Sequence, residues 1–168
     1  MATTDQCCIA QKSLAEFAYG LKKKYGMTLG QSKKDFLTAY NLGEIQLSTV
    51  YENLFVATRN KLGKPTEKIS EDGRDFDNNG DMKTGVLFKD GPKRRYVISS
   101  VVGKLGTVYF VGWNWMTNKV NFFAIPRPSS GFPRQGIKIP VNPNTGVRTG
   151  GKYNHHACDS WEEMVLID

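Results

Sequence analysis

The sequence predicts a mixed α and β chain, with helices first and a β-rich part after them. Two observations carry this expectation. Apolar residues recur at spacings of three and four as far as Leu62, and beyond Pro65 short β-branched and aromatic runs take over, punctuated by Gly, Asn and Pro. The chain has 168 residues, 39% hydrophobic and 11% aromatic, enough for a sizeable core and best suited to one domain.

The elements follow in order. Over residues 5–25, Ala10, Leu14, Phe17, Ala18, Leu21 and Tyr25 trace one helical face, and Gly26 ends it. Lys22, Lys23 and Lys24 fall in its last turn, where cations complement the carbonyl end of the helix dipole. A second helix is expected over 32–40. A third runs from 48 or 49 to 62 with Tyr51, Leu54, Phe55, Thr58 and Leu62 on one face, stopped by Gly63 and Pro65. Strands are expected at 84–89, 95–102, 107–113 and 119–125, arranged as a mostly antiparallel meander. Residues 126–151 read as basic surface loop with one strand, Ile137–Val141. Ser160 followed by Glu163 forms a capping box ahead of a helix over 161–166.

Charge narrows the partners. Lys and Arg number 23 against 16 Asp and Glu, a formal charge of +7, which favours a polyanion because each neutralised phosphate releases condensed counterions. No apolar run reaches the roughly 18 residues needed to span a bilayer, and Met1 to Gln6 lack the blocks of a secretory signal. A soluble intracellular protein without membrane contact is expected. Cys7, Cys8 and Cys158 cannot all pair and two are adjacent, so a reducing compartment fits better than a disulfide framework.

The densest polar cluster runs from Glu71 to Thr84 and holds five carboxylates and Lys83. If Asp81 begins a strand, alternation puts Asp81 and Lys83 on one face with Met82 on the other. A carboxylate beside an ammonium suits phosphodiester hydrolysis: the acid holds Mg²⁺ through oxygen, while the lysine orients water and offsets transition-state charge. A second acid is needed; Asp75 is the first candidate, Asp72 and Asp77 its competitors. The same residues also suit an ordinary polar turn. An EF-hand loop starting at Asp75 fails because its last ligand position falls on Val86.

These residues carry a resemblance. Gly73-Arg74-Asp75-Phe76, followed by Gly80-Asp81-Met82-Lys83-Thr84, lies after a helix bearing Tyr51-Glu52-Asn53-Leu54. It precedes β runs ending Asn121-Phe122-Phe123-Ala124-Ile125-Pro126. The pattern resembles the PD-(D/E)xK restriction-endonuclease-like superfamily over residues 48–126, most of all small type II restriction enzymes of bacteria, phages or viruses. It implies an α/β fold with a central mixed β-sheet flanked by helices, and a catalytic core at 48–126 between a helical segment (1–47) and a basic part (127–168). By the same resemblance Asp75 and Asp81 would be metal ligands, Lys83 the catalytic lysine, and Glu52 an additional helical ligand.

The implied activity is Mg²⁺-dependent, sequence-specific cleavage of duplex DNA, with Mn²⁺ as a substitute, by a cytoplasmic homodimer. No organic cofactor is expected. The chain departs from the family in having no Pro before Asp75 and only five residues between Asp75 and Asp81. Glu52 also has a structural reading, because Thr49 and Glu52 have capping-box spacing.

Candidate DNA contacts are Lys93, Arg94 and Arg95 near a turn, with Arg134, Lys138, Arg148 and Lys152 in the basic tail. The aromatics of the β runs are expected in the core rather than stacked on bases. His155, His156 and Cys158 lack the spacing of a zinc site. The rival from another class is a non-catalytic DNA-binding protein with a helix-turn-helix around residues 35–60. Its spacing there is one residue too long, and it leaves the acid cluster without a role.

Overall fold

The computed structural model describes residues 4–168, with side chains from Ile9 onward. The side chains of Cys7 and Cys8 lie outside the described residues; Cys158 is buried as a free thiol. Helices and strands are both present, in mixed and antiparallel sheets, as the sequence predicts.

Three helices come first: α1 (Thr4–Lys24), α2 (Lys33–Asn41) and α3 (Leu47–Lys61). Ser32 caps α2 by accepting from the Asp35 amide at 3.1 Å. The expected capping box on α3 does not form. Leu47 packs against the core and draws the helix start back, so Gln46 is the N-cap and Glu52 falls in the second turn. A short hairpin follows, β1 (Lys68–Glu71) with β2 (Arg74–Phe76), unforeseen because charged strands this short carry no alternation.

Six further strands build two sheets: β3 (Asp81–Val86), β4 (Phe88–Asp90), β5 (Lys93–Ile98), β6 (Val108–Asn114), β7 (Lys119–Ile125) and β8 (Ile137–Val141). With the two-residue β9 (Ala157–Cys158), one sheet has the order β3-β6-β7-β9 and the other β4-β5-β8. The antiparallel meander is corrected here. The predicted 84–89 strand is split at fully buried Leu87, which sends the β4–β5 hairpin into the second sheet. The chain then returns with β6 parallel to β3, Asp81 opposite Val108 and Lys83 opposite Phe110. In the basic tail the expected Ile137–Val141 strand forms as β8 and pairs with β5, and the expected C-terminal helix is α4 (Trp161–Val165), packed into the core.

Alternation on β6 and β7 gives the mixed sheet two apolar faces. Tyr109, Val111, Phe122 and Ala124 meet α1, α3 and α4, while Val108, Phe110, Phe123 and Ile125 meet Tyr96, Ile98, Ile137 and Ile139 of the second sheet. The aromatics of these strands are thus core residues. Ser160 caps α4 as predicted, accepting from the Glu163 amide at 3.0 Å, although Glu163 reaches back to the Asp159 amide.

Arg59 on α3 is 3% exposed and ties this helix to the C-terminal segment. Its guanidinium donates to Thr66 Oγ1 at 2.8 Å, to the Val165 carbonyl at 2.7 Å and to Asp168 at 2.6 Å. Tyr109 donates to the neighbouring Ile167 carbonyl.

Candidate active site

The site begins in the turn between β2 and β3. Asn78 Oδ1 accepts from the Gly80 amide at 2.9 Å, Asn79 takes a left-handed conformation (φ 69°), and the Asp75 amide donates to the Gly80 carbonyl at 2.8 Å. A Cβ on Gly80 would stand 2.6 Å from the Tyr109 ring, so only glycine lets the turn lie against β6. This tight turn accommodates the short spacing between Asp75 and Asp81. Asp75 Oδ2 accepts from the Met82 amide at 2.9 Å, directing the carboxyl toward the start of β3.

Phe76, next to Asp75, is fully buried and stacks on Phe55 of α3 with ring centroids 4.1 Å apart. Phe55 is one helical turn beyond Glu52, so the contact that seats β2 also sets Glu52 beside the hairpin. Glu52 pairs with Lys68 of β1 at 3.1 Å. Met82 points into the helix-side core, whereas Asp81 and Lys83 lie opposite Val108 and Phe110, which face the second sheet. The two residues therefore share a face.

The electrostatics follow from this crowding. Burial raises the Asp75 carboxyl to about 6; Asp81 and Glu52 add to the rise, and the Met82 amide opposes it. Burial also lowers the Lys83 ammonium, helped by Lys104 and opposed by Asp81 and Asp75. A cleft of about 280 Å³, bordered by Ser48, Thr84 and Ser99, opens beside Lys83.

The structure thus places Asp75 near Asp81 and Glu52, and Lys83 near Asp81 and Asp75. Of the competing acids, Asp72 is exposed, and Asp77 accepts from the Glu67 amide within the β1 region. Among the described residues no three His, Cys, Asp or Glu side chains are drawn up to enclose a metal ion. Lysines hold two of the acids: Lys68 on Glu52, and Lys104 on Asp81 at 2.9 Å. Sequence reasoning missed both. Lys104 stands in a glycine-flanked loop without periodicity, and only the parallel pairing of β3 with β6 places that loop beside Asp81.

The candidate DNA contacts divide. Lys93, Arg94, Arg95 and Lys138 meet on the β5–β8 ladder and line a groove of about 450 Å³, where Arg95 pairs with Asp90 at 2.5 Å. Arg148 donates to the Asn154 carbonyl, Lys152 lies over the Tyr153 ring, and Arg134 is exposed in the loop before β8. On α3, Val50, Tyr51, Leu54, Phe55, Thr58 and Arg59 are buried. The helix that a helix-turn-helix would use for recognition thus has its main face in the core.

No helix among the described residues is long and apolar enough to cross a membrane. Compared with family models, curated proteins and solved structures, the chain finds no match.

Proposed function

We propose that this chain is a Mg²⁺-dependent, sequence-specific endodeoxyribonuclease of the PD-(D/E)xK kind, cutting duplex DNA in the cytoplasm as a homodimer. The observation that carries the reading is that Asp75 of β2 stands near both Asp81 of the adjoining β3 and Glu52 of α3, with Lys83 beside the two aspartates. The donor set fits Mg²⁺: all three acids offer hard carboxylate oxygens, and a divalent cation would stabilise the charged form of Asp75 that burial, with smaller contributions from Asp81 and Glu52, disfavours. Asp75 and Asp81 would hold the ion, with Glu52 as a further ligand. Mn²⁺ shares the preference for oxygen and is expected to substitute.

When bound, Mg²⁺ polarises the phosphate and acidifies water. Lys83 orients the attacking water, takes its proton in the neutral fraction that burial favours, and offsets charge on the phosphoryl oxygens as ammonium. Hydrolysis joins the water oxygen to phosphorus and breaks the bond to O3′, leaving a 5′-phosphate and a 3′-hydroxyl. Lys93, Arg94, Arg95 and Lys138 supply backbone contacts, with Arg134, Arg148 and Lys152 as outlying cations. A chain this small covers little duplex, so a second copy serves the other strand of a palindromic site.

The test is cleavage of mixed-sequence plasmid and phage DNA by wild type and Lys83→Ala, in Mg²⁺ and in EDTA. Discrete fragments are expected in Mg²⁺ and not in EDTA, with the variant slower by about 10²-fold or more. Salt-sensitive binding without cleavage, the same in both proteins, would sink the enzyme reading and favour a DNA-binding module. Glu52→Gln separates ligand from strut. A ligand role predicts Mg²⁺ binding weakened by about ten- to a hundredfold, whereas loss of the Lys68 pair alone leaves the Mg²⁺ isotherm unchanged.

A further inference from the structure

Lys104 enters the site from the β5–β6 loop, and its ammonium lies 2.9 Å from Asp81 Oδ1. The Asp81 side chain is only 5% exposed, so this contact neutralises a charge that burial would otherwise make costly. The backbone that presents Lys104 is fastened on several sides. The Lys104 amide donates to Val101, whose side chain is buried; the Leu105 amide donates to the Gly73 carbonyl at 2.9 Å; and Arg127 donates to the Lys104 carbonyl. A Cβ on Gly73 would come within 2.7 Å of the Gly103 carbonyl, so this loop and the β1–β2 turn are closely docked. What remains free to move is the four-carbon side chain, 21% exposed at the site's margin.

An ammonium on Asp81 occupies a lone pair that a divalent cation needs, and two cations on one carboxylate repel each other. Displaced from Asp81, the ammonium needs another anion, and a phosphodiester entering beside Lys83 brings one. We propose that Lys104 is an exchangeable counter-ion that couples metal loading to DNA. It holds Asp81 in the free protein, yields that carboxylate to Mg²⁺, and moves to a phosphate oxygen of the bound duplex. The inference rests on the reading of Asp75 and Asp81 as the Mg²⁺ site. By linkage, DNA tightens Mg²⁺ binding by the same factor that Mg²⁺ tightens DNA binding.

The experiment is calorimetric titration of Mg²⁺ in a Lys83→Ala background, which spares the DNA, with and without sonicated mixed-sequence duplex. Lys104→Met is expected to bind Mg²⁺ about tenfold more tightly than its parent without DNA and to lose the tightening that DNA produces. Lys104→Arg is expected to keep both properties. Melting gives an independent measure: Lys104→Met melts below its parent in EDTA, and saturating Mg²⁺ closes the gap. Unchanged or weaker Mg²⁺ binding by Lys104→Met, in a parent that Asp81→Asn deprives of binding, overturns the proposal and leaves the metal site standing. Absence of Mg²⁺ binding in the parent, with and without DNA, overturns both.

Discussion

Asp75→Asn is expected to melt above wild type in EDTA at pH 7.5 while cleaving DNA about 10³-fold more slowly in Mg²⁺, the scale on which removing one group that stabilises developing charge acts. Both effects come from the same crowding. The folded protein raises this carboxyl from 3.8 to about 6, so the native state binds the proton more tightly than the unfolded chain. Folding is unpenalised below about pH 4, where both states are protonated, and loses stability as pH rises through 6. With Asp75 half-exposed and solvent screening discounted, the cost above pH 6 is about 1 to 2 kcal/mol. That corresponds to about 3 to 6 °C for a chain of this size.

Asn removes the charge while keeping an acceptor for the Met82 amide. The stability gain should therefore be largest at neutral pH and vanish near pH 4. Thermal melts at pH 4, 6 and 7.5 with parallel cleavage assays check this. A variant that melts below wild type at pH 7.5 would show that Asp75 is satisfied as an anion without metal.

Arg59→Ala is expected to destabilise the fold by about 3 kcal/mol or more, because it orphans buried polar groups as well as removing an ion pair. The Val165 carbonyl and Thr66 lose their donor, the Phe55 ring loses a cation 5.3 Å from its centre, and the segment leading to Asp168 is released from α3. Urea unfolding of wild type and variant measures the loss; a change below 1 kcal/mol, on the order of a surface pair, would contradict it. The Asp168 part of the tie is separable by pH. Hydrogen bonds from Lys64 and Arg59 hold that carboxylate at about 2, so its contribution is present above about pH 4 and fades as pH falls toward 2.

Local chemistry was legible in the sequence and topology was not. Ser160 caps its helix as expected, because a side-chain acceptor one turn from an amide needs no knowledge of the rest of the chain. The Lys119–Ile125 strand kept its bounds because both its faces are apolar and turn residues flank it. Asp81 and Lys83 share a face for the equally local reason that side chains alternate along an extended chain. Thr49 and Glu52 show the limit of such rules: their spacing suited a cap, but the helix begins at Leu47, which packs partly buried against the core. Partners distant in sequence left no local trace, and so neither the parallel partner of β3 nor the lysines facing Glu52 and Asp81 could be read in advance.

The pairing of Asp81 with Val108 also sets a schedule for synthesis. Asp75, Asp81 and Lys83 leave the ribosome before the strand that must hold β3 in place has been made, and the β4–β5 hairpin has to be laid into another sheet in between. Parallel pairing across such a crossover forms slowly because chain closure precedes its reward. The nascent chain therefore carries its acids and lysine as unassembled parts, and the cell meets a competent site only after β6 has docked.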